Sequence, residues 1–194
     1  MWEQLWPGLR IKLFLTVLLG VVYPLAITGI SQIAFPHQAN GSLVTLEGKV
    51  IGSDLIGQNF IRSEYFQPRP SAAGPGGYDG MSSGGSNLGP TNQRLLDRIR
   101  ASVEKFRREN PEYDGPIPAD LVTASASGLD PHISPDSALA QAPRVAAARK
   151  LSGDKVRRLI AQNMEQPDLG LLGEPRVNVL RLNLALDESF PIRK

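Results

Sequence analysis

One uncharged stretch, residues 13–35, constrains this chain more than any other part of its sequence. It reads LFLTVLLGVVYPLAITGISQIAF, and thirteen of its 23 residues are Leu, Ile, Val or Phe. An α-helix of that length spans roughly 35 Å, which exceeds the hydrocarbon thickness of a membrane, about 30 Å. We therefore predict a single transmembrane helix at residues 13–35, kinked at Pro24, after a tail at residues 1–12.

Two other interpretations of this stretch fit less well. In a cleaved signal peptide the apolar region usually extends over about 7–15 residues and ends in small residues. Here the apolar run continues past Pro24 and ends in the sequence Ile33-Ala34-Phe35-Pro36. The remaining interpretation, a buried core helix of a soluble protein, is the least favoured of the three.

The charges beside the apolar stretch predict its orientation. Arg10 and Lys12 lie immediately before it, and the next basic residue in the chain is Lys49. Basic residues next to a membrane helix usually stay in the cytoplasm. We therefore expect residues 1–12 to be cytoplasmic and residues 36–194 to form one periplasmic, or extracellular, domain.

The composition of residues 36–194 excludes several classes of function. This part holds 19 Lys and Arg against 18 Asp and Glu, so it lacks the basic excess of a nucleic-acid-binding domain. The whole chain has no cysteine and only two histidines, His37 and His132, whereas a zinc site needs about four clustered ligands. We therefore predict no catalytic, cofactor-binding or metal-binding residue.

Two segments of the outer domain have a marked local pattern. The β-prone runs 42–46 and 49–52 flank Glu47-Gly48, which predicts a hairpin. Residues 68–90 contain eleven Gly or Pro in 23 positions, so they can be neither a helix nor a central strand. Two possibilities stay open for them, a flexible surface loop or an ordered loop that docks on a partner.

Further along, the periodicity of apolar residues predicts helices and a strand. A helix is expected at residues 91–108, capped by Thr91 or Asn92, because Leu95, Ile99, Val103 and Phe106 form one stripe. A second helix is expected at about 135–150, with a kink or a new start at Pro143, and a third after Ser152. Leucines alternate with other residues over 180–187, which predicts a half-buried strand with a bulge near Val179. The fold class is therefore α+β, with one N-terminal transmembrane helix and an outer domain of a small sheet and three to four helices.

Two catalytic or nucleotide-binding interpretations can be stated and tested. A Ser–His–Asp hydrolase could use His132 with Asp130, and it requires Ser125 or Ser127 within hydrogen-bond reach of His132, but no G-x-S-x-G elbow accompanies them. Residues 82–86, SSGGS, weakly resemble the signature segment of transport ATPases that sandwich a nucleotide. Because the predicted orientation exports this loop, we predict that it is not an ATP site.

A set of short motifs is far more specific than any single pattern. The motifs are GSL at 41–43, GS at 52–53, LIGQ at 55–58 with Phe60, YF at 65–66, RPSA at 69–72, SGGSNLGPTN at 83–92, DLVT at 120–123, Ser125 with GLDPHISP at 128–135, and Gln141 with PRVA at 143–146 and Arg149. Through them the chain resembles the C subunit of the bacterial Kdp high-affinity potassium-transporting P-type ATPase. Gln67 departs from the family's usual glycine.

This resemblance implies a function and a set of partners. It implies an accessory, non-catalytic subunit of the bacterial inner membrane that assembles or stabilises an ATP-driven potassium uptake complex. Its expected partners are a channel-like potassium-translocating subunit, a P-type ATPase subunit and a small single-helix subunit. The family's C subunit is described as a catalytic chaperone that raises the ATP affinity of the pump subunit. ATP would then act through the pump subunit and potassium through the channel-like subunit, with no cofactor bound directly here.

The motifs also supply candidate partner-contact or structural residues. They are Tyr65, Phe66, Arg69, Pro70, Ser71, Ser83, Gly84, Gly85, Ser86, Asn87, Asn92, Asp130, His132 and Arg144. The alternative to the transport function is a membrane-tethered periplasmic binding or adaptor module unrelated to transport.

Overall fold

The N-terminal part of the chain is one long apolar helix. The computed structural model describes residues 2–192, without the side chain of Trp2; Met1, Arg193 and Lys194, at the ends of the predicted tail and outer domain, lie outside them. Within the described chain, one helix is long and apolar enough to cross a membrane, Glu3–Ala34. None of its most apolar part is buried. The predicted apolar helix is confirmed, and it continues without a break into the tail.

This helix changes its hydrogen-bonding pattern near Pro24. It consists of α1 (Trp2–Val17), a π-helical turn (Leu18–Val22) and α2 (Tyr23–Ala34). In the turn, the N–H of Tyr23 donates to the carbonyl of Leu18, five residues earlier. Proline has no N–H to give to the preceding turn. A π-helical turn therefore precedes Pro24, and the kink expected at this residue stays a prediction.

A short helix and a hairpin follow the long helix. They are α3 (Pro36–Ala39), β1 (Leu43–Leu46) and β2 (Lys49–Ser53), and the two strands form a two-stranded sheet. Glu47 and Gly48 connect the strands with φ of +50° and +78°, the signs that a tight hairpin turn requires at both central positions. The predicted hairpin is confirmed.

The chain divides into two compact units, Met1–Ile51 and Gly52–Lys194. The second unit contains α4 (Gln93–Glu109), a 3₁₀ turn (Ala119–Leu121), β3 (His132–Ile133), α5 (Pro135–Arg149), α6 (Gly153–Gln162), β4 (Met164–Glu165), β5 (Arg176–Asn178) and α7 (Val179–Ser189). Its small antiparallel sheet has the strand order β3-β5-β4, with Ile133 and Met164 both opposite Val177. No helix or strand is assigned at the Gly- and Pro-rich residues 68–90, as predicted.

The core of the second unit lies between the sheet and helices α5, α6 and α7. Its buried side chains include Phe66, Ile133, Val145, Val156, Ile160, Val177, Leu182 and Leu186. Each such side chain stabilises the fold by about 1.5–3 kcal/mol relative to an exposed position. The fold is therefore α+β, as the sequence predicted.

Two predicted helix starts are confirmed, and the new helix start considered at Pro143 is wrong. The Asn92 side chain accepts from the N–H of Arg94 at 3.0 Å and caps α4, and Ser134 caps α5 through the N–H of Ser137 at 3.1 Å. Helix α5 runs as one element through Pro143, so the new start proposed there does not occur. Packing of α5 into the core offsets the single backbone bond that proline removes.

The predicted strand at 180–187 is wrong, because these residues form helix α7. Strand β5 ends at Asn178, whose side chain accepts from the N–H of Arg181 at 3.2 Å and caps the helix. The buried residues that follow are Val179, Leu180, Leu182, Asn183 and Leu186, and their spacing fits one helical face. The bulge expected near Val179 is therefore also absent, since the helix begins at that residue.

Candidate functional site

The candidate residues Tyr65 and Phe66 lie on an irregular segment that side chains of two helices hold against the core. Oδ1 of Asn183, on α7, accepts from the N–H of Phe66 at 2.8 Å, and its Nδ2 donates to the Phe66 carbonyl at 2.9 Å. Gln141, on α5, makes the same pair of bonds with the backbone of Gln67, at 2.8 and 3.1 Å. These two amides replace the strand partner that the segment lacks.

Arg144 is buried beneath the same segment and serves as a hub of hydrogen bonds. Its guanidinium donates to the carbonyls of Ser63 and Tyr65, to Oε1 of Gln141 at 2.8 Å and to Oδ1 of Asn110 at 2.9 Å. Burial lowers the pKa of Arg144 below its ordinary value, against the charges of Glu109 and Glu64, which raise it. All these acceptors belong to the chain itself, so the candidate Arg144 has a structural role in this domain.

Tyr65 joins a second cluster built around a buried arginine. The Arg149 side chain is 2% exposed and donates to Oδ1 of Asp187 at 2.6 Å, while its guanidinium carbon lies 4.8 Å from the centre of the Tyr65 ring. The Tyr65 hydroxyl donates to the other carboxylate oxygen of Asp187 at 2.8 Å. The arginine, the ring and the carboxylate therefore satisfy one another and connect the segment to α7.

The Gly-rich residues pack against a second loop, residues 125–128. Ser71 Oγ donates to the carbonyl of Gly128 at 2.6 Å, and the Ser127 carbonyl accepts from Gly84 N–H at 2.7 Å and Ser83 Oγ at 3.1 Å. A Cβ on Gly85 would lie 2.9 Å from the carbonyl oxygen of Ala126. Gly85 thus allows the two backbones to approach closely.

Tyr78 and Pro70 lie beside this contact. Burial raises the pKa of Tyr78 to about 12, so its hydroxyl stays protonated and donates to the carbonyl of Arg69. Pro70 is half-buried in a cleft of about 240 Å³ between this segment and Phe106 of α4. The loop predicted as either flexible or docked therefore makes ordered contacts within its own domain.

The candidates Arg69, Asp130 and His132 form a row of contacting polar side chains at strand β3, the edge of the sheet. Arg69 Nη1 lies 3.1 Å from Asp130 Oδ2, and Asp130 Oδ1 accepts from the backbone N–H of His132 at 2.9 Å. Burial alone would raise the pKa of Asp130, but hydrogen bonds from His132 and the charge of Arg69 lower it below its ordinary value. His132 lies on strand β3, with Nε2 3.5 Å from Glu165 Oε2.

The hydrolase interpretation fails on geometry. Both nitrogens of the His132 ring face carboxylates, whereas Ser127 Oγ accepts from the N–H of Leu129 and lies 3.4 Å from Ser125 Oγ. Across residues 2–192, no hydrogen bond joins His132 to either serine. The same residues contain no group of three or more His, Cys, Asp or Glu that could hold a metal ion.

The structure brings most of the predicted site residues together, but not all. Asn92 is a helix cap apart from the others, Ser86 is half-buried, and Asn87 is exposed with φ of +51°. Asn183 and Asp187 were not predicted as site residues, because the alternating leucines around them indicated a strand and not helix α7. The bidentate ion pair of Arg181 with Asp54 was not predicted either, because no short motif links the two residues. Nε and Nη2 of Arg181 donate to the two carboxylate oxygens of Asp54 at 2.8 and 2.6 Å.

Comparison with known proteins identifies the family to which these features belong. A family model described as the K⁺-transporting ATPase c chain matches residues 5–188, which include the apolar stretch 13–35 and every candidate residue. The chain belongs to the KdpC family. The KdpC match spans both compact units, and it covers the hairpin, the Gly-rich segment and α7 as far as residue 188.

Curated KdpC relatives agree with this assignment over nearly the full length. A potassium-transporting ATPase KdpC subunit of Myxococcus xanthus is 56% identical over 184 residues, covering 94% of this chain and 87% of that protein. The KdpC subunit of Polaromonas naphthalenivorans is 55% identical over 186 residues, covering 96% and 95%. That of Rhodospirillum rubrum is 54% identical over 192 residues, covering 99% of each chain. The sequence resemblance to the C subunit of this ATPase is confirmed.

Proposed function

We propose that this KdpC-family chain is a non-catalytic, single-pass subunit that stabilises a K⁺-transporting ATPase from outside the cytoplasm. Its partners in this proposal are a channel-like potassium-translocating subunit, a P-type ATPase subunit and a small single-helix subunit. The outer domain holds the assembly together and covers the outer entrance of the channel-like subunit. The chain is placed in the bacterial inner membrane with its N-terminus in the cytoplasm.

One observation carries the proposal: an unburied apolar helix is joined to a domain whose polar side chains bond to the domain itself. None of the most apolar part of the helix Glu3–Ala34 is buried within the described chain. Such a helix needs lipid or other helices around it. A Cβ at Gly20 or Gly29 would meet nothing within 4 Å, and small residues of this kind let membrane helices approach closely.

The contacts of the candidate site support a non-catalytic role. Arg144, Arg149 and Asp130 are the charged groups that a ligand could have used, and each already contacts partners in its own domain. Gly85 lies against the Ala126 carbonyl and the N–H of Gly84 donates to the Ser127 carbonyl, so this stretch contacts its own domain and not a phosphate. In this proposal ATP therefore binds the pump subunit alone, and potassium binds the channel-like subunit.

In this proposal the chain raises the ATP affinity of the pump subunit indirectly. An external domain reaches a cytoplasmic nucleotide site only if the two are coupled through the membrane-spanning helices. We therefore assign any increase in the pump's ATP affinity to the assembled complex. Binding of ATP to this chain by itself plays no part in the proposed mechanism.

Co-purification of the complete ATPase tests this function. Omission of the chain should abolish recovery of a stable complex and its K⁺-stimulated ATP hydrolysis. Gly20→Leu and Gly29→Leu should each weaken co-purification without blocking membrane insertion, because the added side chains keep neighbouring helices apart. Val21→Leu is the matched control, because it introduces leucine at a position where no glycine allows close helix approach. Full recovery of an active complex without the chain would contradict the proposal.

A further inference from the structure

Three exposed leucines form the tip of the loop between strands β4 and β5. Residues 167–173, PDLGLLG, are here called the leucine finger. Leu169 is 91% exposed, Leu171 is 87% exposed and Leu172 is 61% exposed. Single exposed apolar residues are ordinary, but three on one short loop form a patch of the kind that marks an interaction site.

The leucine finger is closed by its own backbone hydrogen bonds. The N–H of Asp168 donates to the carbonyl of Leu172, and the N–H of Leu172 donates back to the carbonyl of Asp168, both at 2.9 Å. The N–H of Gly170 donates to the carbonyl of Pro167, also at 2.9 Å. These bonds fix the direction in which the leucines project, so the tip is preorganised for contact.

The conformation of Leu169 is unusual for its residue type. Its φ is +55°, in the left-handed region that glycine enters freely and leucine rarely adopts. The exposed side chain makes no core contact that would hold the backbone there. A leucine at this strained position therefore points to a use of its side chain outside the domain.

An arginine fixes the base of the finger to the sheet. Arg176, on β5, places Nε 3.0 Å from Glu165 Oε2 and Nη2 3.4 Å from Asp168 Oδ1. The first contact crosses the β4–β5 pair and the second reaches the start of the finger. The tip is thus joined to the most regular part of the domain rather than to a free loop.

We propose that the leucine finger inserts into an apolar pocket, rimmed by basic residues, on another protein subunit of the K⁺-transporting ATPase. This inference rests on the proposed function, which supplies the assembly. The charges around the finger favour a protein over a membrane. Residues 164–176 contain Glu165, Asp168 and Glu174 against Arg176 alone, and they contain no Lys, Trp or Tyr. Loops that bind anionic membranes are typically basic and aromatic, whereas this acidic surround complements a basic rim.

Serine substitutions in the assembled complex test the proposal. The double variant Leu169→Ser/Leu171→Ser should weaken binding of the chain to the other subunits at least tenfold, because two leucine side chains no longer fill the apolar pocket. Because both side chains are exposed in the chain itself, its unfolding should not change. Met81→Ser, at a position 99% exposed on another loop, is the matched control and should retain wild-type binding.

A glycine substitution separates docking from folding. Leu169→Gly relieves the positive φ, so the unfolding midpoint of the full-length chain in detergent should stay the same or rise. The same variant should still weaken assembly several-fold, because it removes one anchor. A variant that assembles like the wild type would overturn the inference, and so would one that loses assembly and stability together.

Photo-crosslinking identifies the occupant. The chain has no cysteine, so Leu171→Cys carries one benzophenone maleimide at the finger tip, with Met81→Cys as the control site. The inference requires a crosslink from the finger to another protein subunit. A crosslink to phospholipid, or to nothing, overturns it while the wild-type complex still co-purifies. Failure of the wild-type chain to co-purify would instead overturn the proposed function and this inference with it.

Discussion

Asn183 binds both backbone groups of Phe66, accepting from its N–H at 2.8 Å and donating to its carbonyl at 2.9 Å. The two residues lie 117 positions apart in the sequence, and both are buried. One side-chain amide thus satisfies a complete peptide unit inside the core, where unpaired polar groups are costly. This contact places the Phe66 ring in the core and fixes the path of the segment around it.

Asn183→Asp tests that relationship with almost no change of shape. The carboxylate keeps an acceptor for the Phe66 N–H but loses the donor to the Phe66 carbonyl, and it buries a charge. We expect a loss of about 3 kcal/mol in the free energy of unfolding, measured by denaturant titration of the full-length chain in detergent. The control Asn87→Asp, at an exposed position, should cost less than about 0.5 kcal/mol. Equal effects from the two variants would remove Asn183 from this role.

Adjacent glycines in the SSGGS stretch should respond differently to alanine. A Cβ at Gly85 would lie 2.9 Å from the Ala126 carbonyl oxygen, whereas a Cβ at Gly84 would meet nothing within 4 Å. Gly85→Ala should therefore destabilise the chain by about 1–3 kcal/mol, and Gly84→Ala should change stability by less than about 1 kcal/mol. Thermal unfolding of the two variants gives the comparison. The packing explanation would be wrong if Gly84→Ala proved the more damaging substitution.

Arg144→Met should be among the most destabilising substitutions in the outer domain. It removes a donor from four acceptors, and three of them, the carbonyls of Ser63 and Tyr65 and Oδ1 of Asn110, lose the bond that Arg144 gives them. The expected cost is about 3 kcal/mol in the free energy of unfolding. Arg98→Met, on the exposed face of α4, is the control and should be nearly neutral. Wild-type stability of Arg144→Met would show that the hub is replaceable.

The lowered pKa of Asp130 makes its contribution dependent on pH. Because the folded state holds the carboxylate deprotonated more strongly than the unfolded state, its stabilising effect is present above the ordinary pKa near 4 and is lost as the pH falls further. Asp130→Asn should therefore cost about 1 kcal/mol at pH 7 and less below about pH 4. Unfolding at both pH values, with Asp97→Asn as an exposed control, measures the difference. A cost that grows in acid would contradict the sign.

The sequence predicted the elements whose patterns are local. The apolar helix, the hairpin around Glu47-Gly48 and the capped starts of α4 and α5 depend on residues only a few positions apart. Helix α7 was not predicted, because leucines at 180, 182, 184 and 186 fit a strand as well as a helix. The Asn178 cap and the packing of this segment into the core favour the helix.

The candidate site was predictable only in part, for a related reason. The motif residues Tyr65, Phe66 and Arg144 were recognised, and the structure does bring them together. Their partners Asn183 and Asp187 lie on the misassigned helix and meet them only through tertiary contacts. No periodicity or short motif encodes a contact between residues 117 positions apart. The role of Asn183 and Asp187 in holding the segment around Phe66 could therefore not be predicted from the sequence.

The location of the outer domain is the central claim, and cysteine accessibility tests it most directly. The chain contains no cysteine, so Met81→Cys and Glu3→Cys each introduce a single thiol, the first 99% exposed on the outer domain. Labelling with a membrane-impermeant maleimide is compared in intact spheroplasts and after lysis. We predict that Met81→Cys is labelled in intact spheroplasts and that Glu3→Cys is labelled only after lysis. The opposite pattern would put the domain in the cytoplasm beside ATP and contradict the proposed function.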